Sequence, residues 1–210
     1  MENNKILIRL EKEKDYREVE NLVRDSFFNV YCPGAKEHYV LHMLRDDPNF
    51  IKDLDFVMEL NGEIIGQIVF VKSNILLNNG ETKEVLTFGP ICVANEYKRK
   101  GYGKILLDYA INEAKKLGTK ALIITGNIMF YGKSGFEIAK NKGIRYAFDL
   151  DADYLLVKEL EKGYLDNISG IYKDPECYFV CEKYPEDFEK FEASFPKKEK
   201  VKLEGQIFDK

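Results

Sequence analysis

The feature that narrows the fold most is the run "LTFGPICVANEYKRKGYGKILLDYAINEAKKLGTKALIITG" at residues 86–126. A β-rich segment comes first, broken by a Gly-Pro pair. A helical pattern follows, with Ile105, Leu106, Tyr109, Ala110, Ala114 and Leu117 on one face, Lys115 and Lys116 in the last turn and Gly118 as a stop. "ALIITG" is then almost wholly apolar, as a strand covered on both faces must be. Strand, helix and buried strand in that order form a crossover unit whose two strands run parallel.

The segments before this unit have a different character. "KILIRL" reads as a first strand, and Asp15 with Glu18 as a capping box opening a helix with Tyr16, Val19, Leu22, Val23 and Phe27 on its apolar face. A second helical pattern over residues 35–44 ends at Asp46-Asp47-Pro48. Asn61-Gly62 and Asn78-Asn79-Gly80 each join two strand-like runs, which predicts two hairpins and four antiparallel strands. Downstream, a short helix over 128–133 and the strands "FEIAK" and "DYLLVKEL" complete a domain at residues 1–158. Residues 159–210 are expected to be a C-terminal extension packed on it, with Phe188, Phe191 and Phe195 marking one face of a short helix.

Composition limits the function classes. A chain of 210 residues, 45% hydrophobic, can build one sizeable core, and 32 basic against 36 acidic residues leave a net charge of −4. That balance argues against nucleic-acid binding through the overall field, so an anion site has to be local. No apolar run is long enough to span a membrane and the start lacks a secretory signal, so the expected location is cytoplasmic, with no membrane partner. Cys32, Cys92, Cys177 and Cys181 form no CxxC pair and read as reduced thiols. His38 and His42 lie one helical turn apart, but no HExxH pattern or third ligand accompanies them. No metal is expected; one histidine is read as packing in the core and the other as lining a cleft.

The turn "KRKGYGK" sits where the strand hands over to the helix. Gly101 and Gly103 let backbone amides approach a ligand, the helix N-terminus faces the same space, and Lys98, Arg99, Lys100 and Lys104 add positive charge around Tyr102. A phosphate or pyrophosphate suits such a place; a solvated basic turn is the competing account. The dinucleotide fingerprint GxGxxG is not met, because Leu106 stands at its third glycine. Gly89-Pro90 inside an interior strand implies a bulge or splay. Such a splay leaves backbone groups at Ile91, Cys92 and Val93 open to an extended amide-containing ligand.

Together, "FGPICVANEYKRKGYGKILLDYAINEAKKLG" and "ALIITGNIMFYGKSGFE" resemble the acetyl-CoA-binding core of the GNAT N-acetyltransferase superfamily over about residues 50–140. Its [Q/R]xxGx[G/A] motif is met by Gly101 and Gly103, with Lys98 in the first position, and YxxxGF by Tyr131, Gly135 and Phe136. The resemblance implies an α/β (α+β) fold with a mixed, mostly antiparallel central sheet flanked by helices and a splayed parallel pair that binds the cofactor. It implies an acyltransferase that moves an acetyl group from acetyl-CoA directly to a primary amine of a small molecule or protein, as a monomer or homodimer. Ile91, Cys92 and Val93 would hold the pantetheine arm, the turn from Lys98 to Lys104 the pyrophosphate, and Tyr131 would protonate the leaving thiolate. Asn127 is a candidate either to cap the short helix or to bind the pantetheine. Among possible general bases, Glu37, Glu81 and Glu84 are each read first as solvated charges. A non-catalytic acyl-CoA sensor and an interaction module are the alternative functions.

Overall fold

The computed structural model describes residues 5–206. Nine strands share one sheet: β1 (Ile6–Leu10), β2 (Phe50–Leu60), β3 (Glu63–Leu77), β4 (Thr82–Val93), β5 (Ala121–Thr125), β6 (Glu137–Ile138), β7 (Ile144–Tyr146), β8 (Leu155–Glu159) and β9 (Gly170–Tyr172). The main path runs β1-β2-β3-β4-β5-β8-β6, and β9 joins β3 to β7. β1 to β4 pair antiparallel, and Asn61 and Gly62 both take the positive φ that a tight two-residue turn requires. β4 and β5 pair parallel, so the sheet is mixed and mostly antiparallel as expected.

Each face of the sheet is covered by helices because its strands alternate apolar side chains to both sides. On one face, Phe56, Met58, Ile68, Phe70 and Phe88 pack against Leu106, Leu107, Ala110 and Ala114 of α3 (Tyr102–Lys116). On the other, Val57, Val69, Val71 and Cys92 meet Val19 and Val23 of α1 (Tyr16–Phe27) and Tyr39, Leu41 and Leu44 of α2 (Glu37–Leu44). A buried ionic cluster fixes α1 and α2 to the sheet edge: Arg45 is bidentate to Glu11 at 2.8 and 3.0 Å and reaches Glu20 at 2.7 Å. Beside it, burial and then the charge of Glu11 hold the Asp55 carboxyl well above the usual range.

Two local expectations are corrected, at Asp15 and at His42. Asp15 does not box with Glu18; its carboxylate accepts from the Lys12 amide at 3.0 Å and pairs with Arg9 at 2.6 Å, because the chain enters α1 through a 3-10 turn at Glu13–Asp15. The segment after residue 159 supplies β9, a 3-10 turn at Glu176–Tyr178, α5 (Val180–Lys183) and α6 (Pro185–Glu192). All but β9, an element of the sheet itself, lie against α2, where Cys177, Val180, Cys181, Phe188 and Phe191 join the same cluster. His42, expected to line a cleft, instead bonds Glu20 at 2.9 Å and lies tilted against Phe191, ring centroids 4.4 Å apart. His38 is the packing histidine, fully buried among Phe188, Phe191 and Phe195 with Nε2 2.8 Å from Glu192.

Candidate active site

Pairing between β4 and β5 is confined to Leu86 with Leu122 and Thr87 with Ile123. Immediately beyond, Gly89 and Pro90 place two residues of β4 opposite the single Val69 of β3, the bulge that the Gly-Pro pair implied. β4 then continues along β3 while its parallel neighbour ends at Thr125. The Ala94 amide donates to the Ile65 carbonyl at 2.8 Å, and alternate residues of a strand share a direction, so Cys92 turns its backbone toward β3. Ile91 and Val93 turn theirs toward the opened side. The Val93 carbonyl there accepts from Ser26 Oγ at 3.3 Å.

The turn after β4 is shaped by two positive φ angles, 60° at Arg99 and 92° at Gly101. Gly101 is the N-cap of α3, and a Cβ built there would meet nothing within 4 Å. The amides of Tyr102 and Gly103 have no carbonyl within the helix to accept them, so they and the helix dipole face outward. A Cβ on Gly103 would rest 3.5 Å from the Phe130 ring, an ordinary contact. The four cations do not act alike. Lys98 Nζ donates to the Ser26 carbonyl at 2.9 Å, and partial burial lowers its pKa. Lys104 pairs with Asp108, whose other oxygen accepts from Ser134 at 2.6 Å. Lys100 stands 5.5 Å over the Tyr97 ring, and Arg99 is exposed.

Tyr131 closes α4 (Ile128–Tyr131), directly after β5. Its ring is wedged among Phe88, Phe130 and Phe136 at centroid distances of 5.8, 4.9 and 5.6 Å. Burial raises its pKa, so the hydroxyl keeps its proton. Asn127 is the helix cap, with Oδ1 accepting from the Met129 amide at 2.8 Å.

Of the three glutamates, Glu81 and Glu84 lie at the hairpin end of β4, where a strand's rise puts Glu84 about 20 Å from Ile91. Glu37 is different, and its reading as a solvated charge does not hold. Standing at the first position of α2, it is half-buried; burial, the largest influence, raises its pKa against the opposing hydrogen bonds from its own amide and from the Lys36 amide at 3.0 Å. Its charge is felt by Cys92 and by Tyr31, and Tyr31 in turn by Tyr131. Nothing in the sequence marks Tyr31 or the enclosure of Glu37, since both depend on how the α1–α2 connection folds over β4. Tyr178, whose hydroxyl donates to the Gly89 carbonyl at 3.1 Å, was hidden because its place depends on how the C-terminal segment folds back onto β4.

A family-wide sequence model described as acetyltransferase (GNAT) family matches residues 16–136. An uncharacterised N-acetyltransferase of Escherichia coli, YhbS, is 23% identical over 173 residues, 82% of this chain and 98% of that protein. The uncharacterised N-acetyltransferase MJ1207 of Methanocaldococcus jannaschii is 32% identical over 120 residues, 54% of this chain and 50% of that one. Among solved structures, the Escherichia coli YhbS complex with CoA superposes with a TM-score of 0.73 at 22% identity, covering 85% of this chain and 94% of that one. A Brucella melitensis GNAT family acetyltransferase in complex with acetyl-CoA gives 0.65 at 20% identity, covering 83% and 98%. With more than half of its length matched by the family model, the chain belongs to the GNAT acetyltransferase family and is an acyltransferase.

Proposed function

We propose that the protein transfers an acetyl group from acetyl-CoA to a primary amine at the opening between β4 and β5. The observation that carries this reading is that the opening leads straight to the free amides at the start of α3. The pyrophosphate would lie on Tyr102 and Gly103 with Arg99 and Lys100 beside it, and the pantetheine along the outward backbone of Ile91 and Val93. Lys98 serves differently: held on the Ser26 carbonyl, it ties the turn to the end of α1. CoA-containing relatives of the same fold support the choice of acyl donor.

Two groups are assigned to the proton transfers in this reading. An amine nitrogen attacks the thioester carbonyl carbon, the C–N bond forms, and the C–S bond breaks. Glu37, a carboxyl made more basic by burial, takes the proton that nitrogen loses. Tyr131, kept protonated by its apolar surroundings, gives its proton to the departing sulfur. An amide and free CoA thiol result. Opened backbone amides of β4 polarise the carbonyl as its oxygen gains charge.

Acetyl-CoA at about a hundredfold over its dissociation constant should stabilise the fold by roughly 2.7 kcal/mol, read as a rise in melting temperature. Amine-dependent release of CoA thiol should accompany it. No stabilisation at millimolar acetyl-CoA would overturn the reading, and binding without thiol release across an amine panel would favour a sensor. Glu37→Gln should flatten the acid limb of the kcat/KM profile, which in the wild type lies above that of an ordinary carboxyl; an unchanged limb would remove Glu37 from the mechanism.

A further inference from the structure

The bulge in β4 sets one residue outside the ladder, at Gly89. Its φ of 143° lies in a region that side chains rarely adopt, and the next residue, Pro90, has no N–H to give a neighbouring strand. Backbone of this kind keeps its orientation only when its surroundings fix it. Here the Tyr178 hydroxyl does so, donating to the Gly89 carbonyl at 3.1 Å from 89 residues further along the chain. Tyr178 ends the 3-10 turn Glu176–Tyr178, and its ring packs into the cluster between α2 and the sheet, where Cys177 before it and Val180 after it are buried. Packing thus aims the hydroxyl. Burial holds its pKa well above that of an ordinary phenol, so it remains a donor. Thr87, buried and the last residue of β4 paired with β5, lies beside the same hydroxyl. One side chain therefore meets β4 where the parallel pair comes apart.

Past the bulge, the first amide on the opened side is that of Ile91, since Pro90 has none. Ile91 is joined to Gly89 through Pro90, whose ring fixes its own φ, so a rotation of the Gly89 peptide carries over to the Ile91 amide. We infer that Tyr178 is a positioning residue for acetyl transfer: by holding the Gly89 carbonyl, its hydroxyl keeps the Ile91 amide aimed at the thioester carbonyl. It acts through the backbone and not on the reacting atoms. A donor that meets an oxygen as charge grows there is effective only when its direction is set beforehand. This inference rests on the transfer proposed above and adds to it a residue from the C-terminal segment.

The test uses the full chain as wild type, Tyr178→Phe and Val180→Ala, each in saturating acetyl-CoA. Tyr178→Phe keeps the ring and removes the hydroxyl, whereas Val180→Ala loosens the same cluster and leaves the hydroxyl in place. Acetyl-CoA affinity, kcat by amine-dependent thiol release and melting temperature are measured, together with the carbonyl stretch of bound, isotope-labelled acetyl-CoA by difference infrared spectroscopy. In Tyr178→Phe kcat should fall about 10-fold, the share of one ordinary hydrogen bond, with affinity unchanged and the stretch displaced toward that of free acetyl-CoA. In Val180→Ala melting temperature should fall while kcat and the stretch keep their wild-type values. A wild-type kcat or a wild-type stretch in Tyr178→Phe overturns the inference. So does an equal loss of kcat in both variants, or failure of Tyr178→Phe to fold with acetyl-CoA present; each would leave the hydroxyl a fastener of the C-terminal segment. The proposed transfer fails by different signs. A wild type that binds no acetyl-CoA overturns both, whereas one that binds it and releases no thiol with any amine overturns the transfer, and the stretch still decides whether Tyr178 aims the amide.

Discussion

At Tyr131 two roles share one side chain, and they separate by atom. The ring packs on Phe88, Phe130 and Phe136, while the hydroxyl carries the proposed chemistry. Tyr131→Phe keeps the packing and removes only the proton, so kcat should fall about 100-fold with acetyl-CoA affinity and melting temperature nearly unchanged. A wild-type kcat would leave solvent as the proton source. Gly126 governs the same ring from behind: a Cβ there would stand 2.3 Å from Tyr131 Cε2. Gly126→Ala must therefore displace the ring, and overpacking of this kind costs about 1 to 3 kcal/mol. Activity should fall with melting temperature although residue 126 bears no reactive group; an unchanged kcat would show that the ring's position is not critical. The YxxxGF spacing made Tyr131 readable in the sequence. The need for glycine at 126 was not, because it arises from a contact that only the folded turn brings about.

Among the elements, α6 is held to α2 by an arrangement whose strength depends on pH. Burial pushes His38 down to about 4 from its ordinary 6.5, with Glu192 opposing and Arg24 reinforcing the shift. A histidine kept neutral in the fold but free to protonate when unfolded stabilises the fold fully above about pH 6.5, and that contribution is lost as pH falls toward about 4. It corresponds to about 3 kcal/mol. Glu192, held below its ordinary value against the cost of burial by Arg24 at 2.6 Å, keeps its own contribution until the pH falls further. Melting temperatures between pH 7 and 5 should fall steeply in the wild type and less in His38→Leu; parallel curves would show that His38 does not titrate on unfolding. Apart from β7, the main strands and helices up to residue 158 were readable because their signals are local: a turn pair, a capping glycine, a period of two or 3.6. β7 and β9 escaped notice because each has only three residues and owes its existence to a partner far away in sequence.

For the molecule as a whole, the C-terminal segment is part of the core. Phe195 is buried under Arg17, whose guanidinium lies 3.6 Å over its ring, and Arg24 and His38 both lean on Glu192. Removing residues 186–210 should therefore expose the aromatic cluster, at about 1.5 to 3 kcal/mol per fully buried side chain, and strand two buried nitrogenous groups. The truncated protein should melt earlier or aggregate; equal stability would make the segment a dispensable tail. Synthesis adds a direction to this dependence. A chain leaving the ribosome presents residues 82–125, with the opened strand and the glycine turn, well before β9 can pair with β3 or Tyr178 can reach Gly89. The glycine turn and the opened strand can thus form on an incomplete chain, whereas the contact that the C-terminal segment makes with the bulge of β4 waits for the last turns to dock. An unfinished polypeptide would present its bulged strand bare, and only the completed one would cover the bulge with Tyr178.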